Sequence, residues 1–238
     1  MKNIYKAWWM QAKHVNNFGD ILTPLILDYY NIKYEYTEKS KANLICVGSI
    51  ANFANDNSLV LGSGVAYRNI SLNNKAKWLF TRGPLTRENV IKNNGSCEEI
   101  YGDPAMLLPK ILSSSNKTEN FGYIPHINEY KIIKIKYPKK NIINLNNPNV
   151  KEVIKQITSC RKIMSSSLHG VIAAHAYGIP VAHVNFTEGI IQGDGTKYKD
   201  HYAAINIPHN VSTIDNPIFT DCNNFDTSKI EDIFKSLK

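Results

Sequence analysis

The sequence predicts an α/β protein made of two halves, each a small parallel sheet with helices, the strand ends of one half facing those of the other across a cleft. Three observations lead there. Short apolar runs recur and stop at glycine or polar loops, as buried parallel strands do: Asn43–Gly48, Ser58–Gly64 and Lys77–Thr81. Segments with helical spacing or helix-end residues follow such runs. A polar, small-residue stretch, Lys110–Asn120, interrupts the series once and reads as a linker between residues 1–112 and 120–238.

In the first half, Ile4–Trp9 suits an opening strand. The polar loop His14–Asp20 leads into a helix over Ile21–Tyr30, with Pro24 tolerable in its first turn. Asn17, Gly19 and Asp20 therefore lie in a strand-to-helix loop, Asp20 as a plausible N-cap and Gly19 as a turn residue. After Lys77–Thr81, Pro84 fits a first helical turn and Gly95 the position past its end. Arg82 is thus placed at a strand's carboxyl edge, where a guanidinium can grip phosphate or carboxylate with two parallel bonds. Arg87, on the helix, is expected to pair with surface acids. Glu99–Leu108 reads as a strand entering a turn, which puts Asp103 at the same edge. Gly62-Ser-Gly64 is too short for a dinucleotide fingerprint.

The second half begins with a strand over Phe121–His126, ending at His126, and continues with a strand over Asn141–Leu145 and a helix over Asn149–Ser159. Arg161–Met164 then enters Ser165-Ser-Ser-Leu-His-Gly170, the stretch with the most chemistry. Serines stand where a helix needs caps, an apolar helix runs on to Gly178 and Pro180, and a strand follows over Val181–Phe186. A helix start at a sheet's carboxyl edge attracts anions, and His169 falls in its first turn. The expectation is an anion site, built with Ser166, Ser167 and Leu168, carrying a proton-transfer residue. Ser-Leu-His is not a hydrolase signature, since no G-x-S-x-G occurs. His175 and His183 read as structural. Glu188–Tyr202 is expected to form a mobile loop and a helix start, and Thr227–Leu237 an amphipathic helix that packs back on the first half.

Composition narrows the classes. The formal charge of +8 suits an anionic partner, yet basic residues are dispersed and no nucleic-acid motif is present, so no nucleic-acid partner is expected. A phosphorylated substrate, or an acceptor at an anionic membrane surface, is the better use of that charge. Cys46, Cys97, Cys160 and Cys222 are scattered and read as reduced thiols, and metal-site spacing is absent. No apolar run reaches the length of a membrane span, and the opening residues lack a signal-peptide pattern, so a soluble, cytoplasmic chain is expected.

Several short motifs carry a resemblance. Asn17-Phe-Gly-Asp20, Arg82 opening a helix, Gly102-Asp-Pro-Ala105, Ile124-Pro-His126, Ser166-Ser-Leu-His-Gly170 with Gly178-Ile-Pro180, and Lys197-Tyr-Lys-Asp-His-Tyr202 occur in this order. Over residues 14–205 the chain resembles the polysaccharide pyruvyl transferase family. The resemblance implies two Rossmann-like halves in a glycosyltransferase-B-like arrangement, with phosphoenolpyruvate as donor and no further cofactor. The implied acceptor is a saccharide or lipid-linked oligosaccharide, with peripheral contact at the inner membrane face, and the product a pyruvate ketal on two sugar hydroxyls. It also implies His169 as the catalytic histidine and Arg82 as a donor-phosphate contact. Some relatives place an arginine where this chain has Ser167, which leaves Lys197 or Lys199 to supply that charge. Asp20 or Asp103 would orient or deprotonate an acceptor hydroxyl. Competing readings are a nucleotide-sugar-dependent glycosyltransferase on the same scaffold and a non-catalytic glycan- or anion-binding module.

Overall fold

The structure, a computed structural model, describes residues 4–11, 16–187, 189, 191 and 193–238. It is a mixed α/β fold with two parallel sheets. The first contains β1 (Tyr5–Trp8), β2 (Tyr34–Tyr36), β3 (Leu44–Ile45), β4 (Leu59–Leu61) and β5 (Lys77–Phe80), in the order β2-β1-β3-β4-β5. All its pairings are parallel, and isolated bridges Trp78–Cys97 and Thr81–Tyr101 extend it beyond β5. The second contains β6 (Glu119–Ile124), β7 (Cys160–Ser165) and β8 (Val181–His183), in the order β6-β7-β8. A parallel bridge from Tyr123 to Ile142 adds a position outside β6.

The two sheets share a winding pattern. From β1 the chain steps outward to β2 and returns on the other side as β3. From β6 it steps outward to Ile142 and returns as β7. Each reversal opens a crevice at the carboxyl ends of the strands, the place where open α/β sheets bind ligands. The loops after β1 and β3, and those after β6 and β7, bound the cavity described below.

Helices α1 (Leu22–Tyr29), α2 (Pro84–Lys92), α3 (Leu108–Ile111), α4 (Tyr130–Lys136), α5 (Val150–Thr158), α6 (Leu168–Ala176), α7 (Thr196–Ala204) and α8 (Ser228–Ser236) complete the fold. One apolar core joins strand residues of both sheets, Leu44, Leu61 and Phe80 with Ile124, Ile163 and Val181. The 3-10 turn Pro104–Leu107 packs on α6, whose Val171, Ile172, Ala173 and Ala174 are all fully buried. A helix apolar on every face belongs inside the fold, and α6 lies there. α8 stacks Phe234 on Tyr30 at 5.2 Å and sets it edge-on to Phe80 at 6.1 Å.

Several local expectations need revision. The N-cap of α1 is Ile21, without a side-chain bond, so Asp20 does not cap the helix. The strand expected over Asn141–Leu145 is only the bridge at Ile142. β2 and α4 are not legible in the sequence: β2 is a short edge strand with exposed Glu35 and Tyr36, and α4 has a single buried residue, Ile133, and so no apolar stripe at helical spacing. Glu188, Ile190 and Gln192 of the expected glycine loop, and His14 and Val15 of the loop after β1, lie outside the described residues.

Candidate active site

A cavity of about 280 Å³ opens between the two sheet edges. The first edge contributes Asn17, Asp20, Ser49 and Tyr67, and the second His126, Ser167, Leu168, His169 and Lys197. Direct bonds between the two parts of the chain bound it. Phe18 N donates to Leu145 O at 3.0 Å, Asn16 N to Asn146 Oδ1 at 2.6 Å, and Arg68 N to Asp194 Oδ2 at 2.9 Å.

The floor is the start of α6. Ser167 is its N-cap with extended backbone, but its side chain makes no capping bond and faces the cavity instead. Ser165 and Ser166 act behind it. Ser165 Oγ accepts from Ser167 N at 3.0 Å and lies 3.0 Å from Ile124 O. Ser166 Oγ donates to Glu129 and accepts from His126 N at 2.9 Å, so it holds the loops together and does not line the cavity. Gly170 allows β6 to approach, because a Cβ there would lie 2.5 Å from Ser165 Oγ and 2.7 Å from Ile124 Cγ2.

His169 is 8% exposed. Its ring rests against Gly19, where a Cβ would come within 2.0 Å of Nδ1; any side chain at Gly19 would displace the imidazole. On the other edge Nε2 is buried without a hydrogen bond, 3.8 Å from Asp103 Oδ2, which is buried and unpartnered too. Asp103 Oδ1 caps the 3-10 turn by accepting from Ala105 N at 2.9 Å. Asp103 is fully buried and outside the cavity, so the structure places it behind His169 and away from any acceptor hydroxyl.

Titration follows from burial. His169 is lowered to about 3, chiefly by burial and then by Arg82, Lys197 and His126. His126 is also lowered, by burial and then Lys197. Asp20 is raised to about 7 by burial, with a bond from the Asn17 side chain favouring the ionised form. Asp103 is raised to about 6 by burial, opposed by its bond from Ala105 and by Arg82. Lys197 is lowered to about 8 by burial and then Arg82. The cavity therefore presents neutral imidazoles and one carboxyl group titrating near neutrality, Asp20, beside a mainly protonated lysine, with Asp103 behind His169. Such a set suits an anion and proton transfer.

Arg82 does not reach the cavity. It is fully buried: Nε donates to Asp200 Oδ2 at 3.2 Å, one Nη to Ser49 Oγ at 2.7 Å and the other to Val65 O at 2.6 Å. The guanidinium lies against Gly64, where a Cβ would sit 2.3 Å from Cζ. Its influence on the cavity is through its field. Asp200 also accepts from Thr86 N at 3.0 Å and Thr86 Oγ1 at 2.6 Å, which joins α7 to the start of α2. Lys199, two positions from Lys197 on α7, points to the opposite face and is exposed. Arg87 pairs with Glu99 at 3.2 Å.

Sequence reasoning missed Asp200 and Glu129. Asp200 lies within the Lys197–Tyr202 motif, but its partner Arg82 is 118 positions away. Glu129, also fully buried, binds Ser166 Oγ, His126 N and the N–H and hydroxyl of Thr187. Among the described residues no cluster of three His, Cys, Asp or Glu side chains is arranged to hold a metal ion.

The family model for polysaccharide pyruvyl transferase matches residues 3–186. The chain belongs to this family. It is 30% identical over 172 residues to an uncharacterized protein of Acanthamoeba polyphaga mimivirus, covering 68% of this chain and 59% of that one. It is 27% identical over 201 residues to the succinoglycan biosynthesis protein ExoV of Rhizobium meliloti, covering 78% and 61%. The chain thus spans less than two thirds of the length of either relative. No solved structure matches it. Among the described residues no helix is long and apolar enough to cross a membrane.

Proposed function

We propose that the chain transfers the enolpyruvyl group of phosphoenolpyruvate to two hydroxyls of a sugar in a cell-surface polysaccharide or its lipid-linked precursor, forming a pyruvate ketal and releasing phosphate. The observation that carries this reading is the placement of His169, the family's catalytic histidine by resemblance, in a cationic cavity with Asp20 and Lys197. The two sheets would act as Rossmann-like halves facing across this cavity in the glycosyltransferase-B manner, divided near residues 112–120.

Donor phosphate would meet Lys197, the Ser167 hydroxyl and the free N–H groups at the start of α6. Lys197 takes the place of the arginine that some relatives carry at the Ser167 position. A bound dianion raises the pKa of the otherwise neutral His169, and the Asp103 carboxylate, 3.8 Å behind Nε2, stabilises its charged form. Protonated His169 gives its proton to the methylene carbon while one sugar oxygen bonds to C2 of the donor, its proton passing to Asp20. The second hydroxyl oxygen then bonds to C2 as the C2–O bond to phosphate breaks, and phosphate leaves with the second proton. One new methyl C–H and two C–O bonds form, and the atoms balance without a redox cofactor.

Incubation with phosphoenolpyruvate and a panel of galactosyl, mannosyl and N-acetylhexosaminyl acceptors tests the reading by mass spectrometry and phosphate release. A pyruvate adduct is expected with at least one acceptor, and phosphoenolpyruvate should raise the melting temperature. Transfer from a nucleotide sugar, with no response to phosphoenolpyruvate, would overturn it.

A further inference from the structure

α4 turns an apolar pair to water. Ile133 is buried with Tyr123, Ile142 and Met164, whereas Ile135 is 81% exposed and Ile132 is 47% exposed. These two are three positions apart, so they share one face, turned away from Ile133. Lys131, Lys134 and Lys136 flank them, Lys139 and Lys140 follow the helix end, and all are exposed. Among the described residues none of these lysines is in an ion pair. Lys136 and Lys140 lie over the rings of Tyr137 and Tyr123, at 5.4 and 5.2 Å from their centroids.

Aliphatic side chains framed by lysines without acidic partners fit an anionic bilayer surface. The isoleucines enter the boundary of the acyl region, and the ammonium groups extend to lipid phosphates on their flexible stems. A protein partner fits less well, because protein interfaces favour arginine and aromatic residues and are depleted in lysine. The position also matters. Asn128 and His126 line the cavity, and Glu129, the N-cap of α4, is bonded to Ser166. At 1.5 Å per helical residue, Ile135 is about 10 Å along the chain from Asn128.

We propose that this face of α4 docks on an anionic lipid surface. Where the pyruvyl-transfer reading holds, on which this clause rests, docking brings the head of a lipid-linked saccharide to the cavity mouth.

The test is co-sedimentation of the full chain with phosphatidylcholine vesicles, with and without phosphatidylglycerol, alongside phosphate release on a water-soluble acceptor. Binding is expected only with the anionic vesicles and should weaken with salt. Replacing Lys131, Lys134 and Lys136 by Gln should lower partitioning about a hundredfold. Ile132→Ser with Ile135→Ser should lower it about tenfold, with melting temperature and transfer to the soluble acceptor unchanged in both variants. Equal binding to both vesicles, no loss in the variants, or lipid-free self-association that depends on Ile135 would overturn the docking face. Vesicle binding by a chain that transfers nothing to any acceptor leaves docking standing and removes the pyruvyl-transfer reading alone.

Discussion

The two sheet edges that meet at the cavity carry opposite chemistry. The edge of the first sheet brings carboxyl groups, Asp20 in the cavity wall and Asp103 behind it, both raised toward neutrality by burial. The edge of the second brings imidazoles lowered by burial, His169 and His126, together with Lys197 and the start of α6. Neither edge makes a proton-transfer site alone. Gly19 of the first supports the ring of His169 from the second, and Asp200 of α7 holds the Arg82 that follows β5. The difference teaches that burial keeps acids near protonation and bases near neutrality, so donors and acceptors of protons can be enclosed together without several bare charges.

The hardest blow to this arrangement is removal of its imidazole. His169→Ala should lower kcat/KM for ketal formation by about a thousandfold, within the range for a positioned acid or base, while the melting curve shows the fold retained. Near-normal turnover would leave the second edge without its assigned chemistry. Next comes the join between the edges. Asp200→Ala leaves the Arg82 guanidinium buried without its carboxylate and should cost about 3 kcal/mol in urea unfolding; an unchanged midpoint would show that other contacts hold α7 against the start of α2.

A finer comparison uses pH. His169, His175 and His183 are lowered from 6.5 to about 3, about 4 and about 3. The unfolded chain binds protons that the folded chain refuses, so their contribution is intact above 6.5 and is lost as pH falls from there to about 3. Asp20 and Asp103, raised from 3.8 to about 7 and about 6, act in the opposite sense: the destabilisation they cause above those values disappears as pH falls toward 3.8. Asp20→Asn removes one opposing contribution. This variant should be more stable than the parent at about pH 8 and lose stability more steeply toward about pH 5, as read from urea midpoints. Parallel curves would mean that Asp20 is not held near neutrality. The smallest effect is expected from Lys199→Ala, which should change stability by less than about 0.5 kcal/mol and leave donor KM unaltered; a raised KM would bring the outer face of α7 into the site.

Much of the scaffold was legible because its signals are local. Apolar runs closed by glycine located β3 and β4, and the run Lys77–Thr81 located β5; Pro84 and Gly95 bracketed α2; and Gly178 with Pro180 ended α6. α4 left no such signal, because a single buried residue, Ile133, anchors a helix whose Lys131, Ile132, Lys134, Ile135 and Lys136 stay in water. The motif residues Asn17, Asp20, Ser167, His169 and Lys197 do converge on one cavity.

Their orientation was not legible. Arg82 looks like an open anion grip in sequence, yet Asp200, Ser49 and Val65 from three separate segments enclose it. Asp103 looks like a cavity acid and lies behind the imidazole, and Asp20 looks like a cap and lines the wall. By itself the sequence determined the parallel α/β pattern, the family and the loops that meet at the cavity, since strand runs, helix stops and short motifs are properties of neighbouring residues. Only the tertiary structure decided which of those side chains meets the cavity and which supports it from behind. Burial and the partner of a buried charge depend on groups more than a hundred residues apart, as with Arg82 and Asp200.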